Sequence, residues 1–212
     1  MKSVIFDLDG TLIDSQTDLC ASINYVREKL YGLPPLTAAF VTDRMNRPGL
    51  NLAREFYGVE RYEPRAHAMF ETHYARQCLR NAAPYPGVPE MLEALKSAGC
   101  DLFVATNAPT HTSSLMLRRH HLEEFFADII GADRVRDPKP DPQMLRLATA
   151  QARHGEIWMA GDSPKDMQAA RAAGVGSIFV TWGYTSALPG PSEATAVART
   201  PGEIVGIVLD AI

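Results

Sequence analysis

The chain has 212 residues, of which 46% are hydrophobic and 22% charged, and its net charge is −4. This length supports a little over one domain with a sizeable core of its own, and the composition excludes wholesale disorder. The acidic balance disfavours a nucleic-acid binder that grips many phosphates, no apolar stretch reaches the roughly 20 residues of a membrane span, and the N-terminus lacks the pattern of a secretory signal.

Val4-Ile5-Phe6 opens the chain as a short apolar run, which predicts a strand buried on both faces. The turn Asp7-Leu8-Asp9-Gly10-Thr11 follows it. Leu19, Ile23, Val26 and Leu30 recur at helical spacing up to Gly32, and further helices are expected over about 36–45, 49–57 and 63–80. After Tyr85-Pro86-Gly87 the pattern alternates. Met91, Leu92 and Leu95 predict a helix closed by Gly99, and 102–105 predicts a strand. A helix near 112–120, a strand at 128–130 and a helix from Asp141-Pro142 come next, with Asp141 as cap and Pro142 in the first helical position. A strand at 157–160, a helix from Pro164 to Ala173 closed by Gly174, a strand at 177–180 and a helix over 201–211 complete the pattern, with 185–200 left as a surface loop. Strands alternating with helices define an α/β fold, a Rossmann-like parallel sheet with helices on both faces. The expected domains are a core of 1–14 and 84–212 and an inserted all-helical unit of 15–83.

In open parallel sheets ligands sit at the carboxyl ends of the strands. The polar residues after those ends are Asp7 and Asp9, then Thr106 and Asn107, then Lys139 in a proline-rich loop, then Asp162 and Asp166. Asp7 and Asp9, two residues apart, lean the same way. Carboxylates held this close resist joint ionisation unless a cation shares the site, and Mg²⁺ suits an acidic cluster that leaves room for phosphate oxygens. An aspartate can also form an acyl phosphate. Each residue has a plainer reading as well: Asp beside Gly makes Asx turns, and Ser163-Pro164-Lys165-Asp166 reads as a capping box. Cys20, Cys78 and Cys100 are far apart and odd in number, and read as buried apolar side chains of a cytoplasmic protein. The six histidines, His67, His73, His111, His120, His121 and His154, show no zinc spacing with them.

Asp7-Leu8-Asp9-Gly10-Thr11 resembles the first motif of the haloacid dehalogenase-like phosphohydrolases. Thr106-Asn107 resembles the second, Lys139-Pro140 the third, and Gly161-Asp162-Ser163-Pro164-Lys165-Asp166 the fourth, in order over essentially the whole chain. The helical unit lies where that family carries its C1 cap. Ala169-Ala170-Arg171-Ala172-Ala173-Gly174 and Trp182-Gly183-Tyr184 are similar to the phosphoglycolate phosphatase-like branch. The resemblance implies a phosphatase acting through an aspartyl-phosphate, with Asp7 as nucleophile and Asp9 as acid and base. It implies that Thr106, Asn107 and Gly10 with nearby backbone N–H groups hold the phosphate, and that Lys139 neutralises charge. Asp7, the backbone carbonyl of Asp9 and Asp162 would hold Mg²⁺, with Asp166 beside or behind them. The alternative it leaves is a sugar phosphomutase, whose Gly-x-Ser-Arg cap loop is not matched by Asn46-Arg47-Pro48-Gly49. Ala108 stands where many relatives carry a lysine.

The helical unit holds nine Lys and Arg against seven Asp and Glu, which leaves −6 for the rest of the chain. A mildly basic lid over an acidic core favours a small anionic phosphorylated metabolite between them. Arg44 and Arg47 are the candidates to bind a second anionic group of that substrate. A monomer or homodimer is expected, with no nucleic-acid or membrane partner.

Overall fold

The structure, a computed structural model, describes residues 2–153, 155–185 and 193–210. Its core is a six-stranded, all-parallel sheet. The strands are β1 (Ser3–Phe6), β4 (Asp101–Ala105), β5 (Asp128–Ile130), β6 (Ile157–Gly161), β7 (Gly176–Val180) and β8 (Ala196–Ala198), in the spatial order β5-β4-β1-β6-β7-β8. β1, β4 and β6 are buried along their whole length, which is why they read as continuous apolar runs.

The pleat sends alternate residues to two apolar clusters. Val4, Phe6, Leu102 and Val104 pack with α5 (Val88–Ser97), α6 (Thr110–Arg119) and α9 (Pro201–Asp210). Ile5, Phe103, Ala105 and Met159 pack on the other face against α7 (Gln143–Gln151) and α8 (Pro164–Ala173). All three cysteines are free and buried.

Two expectations need correction. The segment 185–200 contains β8, which pairs parallel to β7; its small residues Ala196-Val197-Ala198 carry little strand signal, and 186–192 lie outside the described residues. Pro142 is the N-cap of α7 rather than its first helical residue, although Asp141 Oδ1 does accept from the Gln143 N–H at 3.0 Å. His154 and the last position of the helix expected over 201–211 fall outside the described residues.

The helical unit comprises α1 (Gln16–Tyr31), α2 (Ala38–Asn46), α3 (Leu52–Tyr57) and α4 (Pro64–Gln77). It enters through β2 (Ile13–Asp14) and leaves through β3 (Ala83–Pro84), which pair antiparallel. Leu19, Ile23, Val26 and Tyr74 join the same apolar cluster as Val4 and Phe6, so the helical unit and one sheet face share a continuous interior.

Asp18 ties α1 to the last residue of α4 and to the chain just beyond it. Its Oδ1 accepts from Gln77 Nε2 (2.9 Å) and Asn81 Nδ2 (2.6 Å), and its Oδ2 from the N–H groups of Asn81 (2.8 Å) and Ala82 (2.7 Å), all with Asp18 fully buried. Asp18→Ala leaves these donors unmatched, and at about 1–3 kcal/mol for each buried one we expect a loss of roughly 3–5 kcal/mol. Urea unfolding measures it; a loss under about 1 kcal/mol would mean that water replaces the carboxylate.

Candidate active site

The sheet order places the ends of β4, β1 and β6 side by side, and the chain leaves them on divergent crossovers, which opens a crevice. Asp7 follows β1, Thr106 follows β4, Asp162 follows β6, and Lys139 reaches in from the loop between β5 and α7. Asp7, Thr106 and Lys139 line a cavity of about 220 Å³, closed above by Leu19, Met45, Asn46, Leu52, Phe70 and Tyr74 from the helical unit.

At its floor the Lys139 ammonium bridges Asp7 Oδ1 (2.7 Å) and Asp166 Oδ1 (2.6 Å). Burial works against this charge, but Asp166 and Asp7 outweigh it and hold the Lys139 pKa above its ordinary value. Asp166 Oδ2 accepts from Ser163 Oγ (2.7 Å) and Ser163 N–H (3.1 Å), completing the expected capping box of α8. Both oxygens of Asp166 are therefore engaged, so this residue caps a helix and anchors Lys139 at once.

The carboxylates of Asp7, Asp162 and Asp166 each place an oxygen within 4.8 Å of the others, all buried. Asp162 Oδ2 accepts from the Tyr184 N–H (2.7 Å) and Asn46 Nδ2 (3.0 Å), while Asp162 Oδ1 is buried without a partner. Burial, then the charge of Asp166, push the Asp162 carboxyl up to about 7. Burial also raises Asp7 well above the carboxylate range, with Lys139 opposing and Asp166 and Asp162 adding to the rise. A buried, bare carboxylate oxygen among repelling acids is an acceptor set that fits a hard divalent cation. Gly10 permits this packing: its φ is +85°, and a Cβ there would lie 2.6 Å from Asp162 Oδ2. Gly10 thus supports Asp162 from below and does not line the cavity.

Asp9 stands apart from the three-acid group. It accepts from Ser15 Oγ, and Ser15 in turn contacts the Tyr184 hydroxyl through both its N–H (2.8 Å) and its Oγ (3.0 Å). Burial raises the Asp9 pKa, with the Ser15 hydrogen bond opposing. Thr106 Oγ1 accepts from the Ala108 N–H (3.1 Å). Asn107 lines the cavity, but its amide clamps the backbone of Lys139, accepting at 3.0 Å and donating at 2.9 Å.

The structure does not bring Arg44 or Arg47 to the cavity. Arg47 pairs with Asp43 one helical turn back (2.9 Å), and Arg44 pairs with Glu55 (3.2 Å) and lies over the Phe40 ring. Nearby acids pair with both guanidinium groups. Residues that the sequence reading passed over line the cavity instead, namely Asn46, Lys165, Tyr74 and Tyr184. Lys165 and Asn46 stood inside segments already singled out, but nothing in the spacing said where their side chains would go.

Acidic groups and a buried lysine at the carboxyl ends of a parallel sheet, under a helical insert, define the class of α/β enzymes that handle phosphate esters. The chain belongs to the haloacid dehalogenase-like hydrolases, whose family model matches residues 4–180. It falls in the phosphoglycolate phosphatase-like branch and is a phosphomonoester hydrolase, with α1–α4 corresponding to a C1 cap. It is 31% identical to the phosphoglycolate phosphatase of Vibrio vulnificus YJ016, covering 99% of this chain and 96% of that one. It is 28% identical to the N-acetylmuramic acid 6-phosphate phosphatase of Pseudomonas aeruginosa, covering 98% and 95%. A crystal structure of a predicted phosphoglycolate phosphatase from Haemophilus somnus 129pt superposes with a TM-score of 0.83 at 26% identity, covering 98% of each chain. Among the described residues no helix is long and apolar enough to cross a membrane.

Proposed function

We propose that the protein is a Mg²⁺-dependent phosphatase that hydrolyses a small phosphomonoester of an acid, phosphoglycolate-like, through an aspartyl-phosphate. The observation that carries this reading is the Lys139 bridge between Asp7 and Asp166, beside the bare Asp162 Oδ1. In this reading residues 1–14 and 84–212 form the catalytic core and 15–83 the cap. Asp7 and Asp162, with the Asp9 carbonyl, would hold the Mg²⁺, while Asp166 acts through Lys139. The ion supplies charge neutralisation at the phosphate oxygens.

The Asp7 carboxylate attacks phosphorus, forming the acyl-phosphate bond as the ester P–O bond breaks. The departing oxygen takes the proton of Asp9, whose raised pKa suits it to carry one. Asp9, now a carboxylate, takes a proton from water; the resulting nucleophile attacks phosphorus, releasing phosphate and restoring Asp7. Thr106 and backbone N–H groups hold the equatorial oxygens, and Asn107 fixes Lys139, so that the work is positioning and charge stabilisation.

A second, mostly apolar cavity of about 430 Å³ adjoins the first and shares Leu19, Met45, Leu52 and Phe70 with it. It favours a second reading of substrate size, a bulkier acid such as N-acetylmuramic acid 6-phosphate. The deciding experiment is phosphate release from phosphoglycolate, N-acetylmuramic acid 6-phosphate, hexose phosphates and nucleotides, with and without Mg²⁺, alongside an assay for hexose phosphate isomerisation. Turnover of one acid ester far above the others fixes the size; isomerisation without phosphate release would replace the phosphatase by a mutase.

The leaving group tests Asp9. In single-turnover phosphorylation, Asp9→Asn should slow transfer from an alkyl phosphate by roughly 10²–10⁴-fold. Transfer from p-nitrophenyl phosphate, whose leaving group needs no proton, should suffer much less. Equal losses on both substrates would remove Asp9 from protonation of the leaving group.

A further inference from the structure

The cavity has two cationic side chains on its wall, Lys139 and Lys165. Lys139 is spent, held between Asp7 and Asp166. Lys165 is placed differently. It is the second residue of α8, half-buried, and its ammonium donates to the carbonyl of Met45, near the C-terminal end of cap helix α2, at 2.5 Å. An ammonium has three protons to give, and a backbone carbonyl is a neutral partner that an anion outcompetes. The Lys165 ammonium also stands at the boundary between core and cap, where the alcohol part of a substrate must lie once its phosphate is seated at Asp7. The first turn of α8 adds the positive end of a helix dipole to the same spot. Meanwhile the cap arginines that the charge count pointed to are held by Asp43 and Glu55.

Resting on the phosphatase reading, we propose that Lys165 is the specificity-determining residue that reads a second anion, a carboxylate on the alcohol side of the phosphomonoester, exchanging the Met45 carbonyl for it. The substrate class is then the phosphate ester of a hydroxy acid. Because Lys165 donates to the cap through the Met45 carbonyl, binding the acid also trades a contact between core and cap for one with substrate.

The test compares kcat/KM for phosphoglycolate and for propyl phosphate, similar in size but lacking the carboxylate, in the wild type, Lys165→Met and Lys165→Arg. Any cost common to both esters cancels in the ratio. The wild type should favour the acid ester, Lys165→Met should lower that ratio by about 10- to 100-fold, and Lys165→Arg should keep part of it. A second arm needs no variant: 3-phosphonopropionate should inhibit the wild type more tightly than propylphosphonate by a similar factor. A ratio unchanged in Lys165→Met, or equal inhibition by the two phosphonates, overturns the assignment while leaving the phosphatase intact. Hydrolysis of neither ester by the wild type, with phosphate released from other phosphomonoesters, overturns the small hydroxy-acid substrate and the role of Lys165 with it; release from no phosphomonoester at all overturns the phosphatase reading itself.

Discussion

Asp7→Asn lowers kcat on every phosphomonoester by roughly 10⁴-fold or more, the scale of loss when a covalent nucleophile is removed. The side chain keeps its shape and can still accept from Lys139, so the fold persists: Asp7 Oδ1 is one of two anchors of that lysine, and Asp166 remains as the other. Phosphate binding should survive better than turnover, because Thr106 and Lys139 stay in place. The measurement is kcat by phosphate release, with mass spectrometry to show that the asparagine has not deamidated and that no phosphoprotein accumulates. Near-normal turnover in an intact asparagine variant would rule out an aspartyl-phosphate.

Removing divalent cations is the second large effect. Chelation should abolish turnover and Mg²⁺ should restore it, with Ca²⁺ a poor substitute because its larger, looser shell misplaces oxygen ligands. The carboxyl group of Asp162 gives this effect a pH signature. Its pKa in the metal-free protein is raised to about 7 from an ordinary 3.8. A carboxyl whose folded pKa is raised contributes stability at pH below its unfolded value, and that contribution is lost as pH climbs through the folded one. The metal-free protein should therefore lose stability between about pH 4 and pH 7, and a bound cation should oppose the loss. At a Mg²⁺ concentration 100 times its Kd the gain is about 2.7 kcal/mol. The rise in Tm on adding Mg²⁺ should be larger at pH 8 than at pH 5.5, and calorimetry at pH 6.5 should detect proton release on binding. A Tm shift independent of pH, or full activity in excess chelator after dialysis, would count against a cation held by these acids.

Much of the core was legible in the sequence because parallel strands buried on both faces leave unbroken apolar runs, as in Val4-Ile5-Phe6 and Leu102-Phe103-Val104. The start of α8 was equally plain, since Ser163, Pro164 and Asp166 act through local geometry alone. Ile13–Asp14 and Ala83–Pro84 escaped notice because two-residue strands are too short to show alternation. The strand ends announced Asp7, Thr106 and Asp162 as neighbours, and the proline-rich loop added Lys139. The roof of the cavity was hidden, because it is assembled by contacts across great separations: Asn46 meets Asp162 116 residues away, Lys165 meets the Met45 carbonyl 120 away, and Ser15 meets Tyr184 169 away. The arginines teach the reverse lesson. Asp43 stands four residues before Arg47, and that helical pairing competes for the side chain. Counting net charge over the whole helical unit hid it.

The antiparallel pairing of Ile13 with Pro84 and Asp14 with Ala83 sets the departure and return of the chain side by side. Everything between them is a loop in the topological sense, closed at its neck by two short strands. Such a neck makes splicing cheap: a tight turn joining Asp14 to Ala83 would leave the order of the large sheet untouched. The shared interior pulls the other way, because Leu19, Ile23, Val26 and Tyr74 cover apolar groups that a bare core would show to water. An insert grafted at this neck must therefore bring an oily underside of its own. Chimeras that trade 15–83 for the corresponding segment of a relative should fold, whereas simple excision should yield a protein that aggregates. The joint is built for exchange and not for loss, so the roof over the substrate can be replaced in one recombination event while the carboxylates and Lys165 below stay where they are.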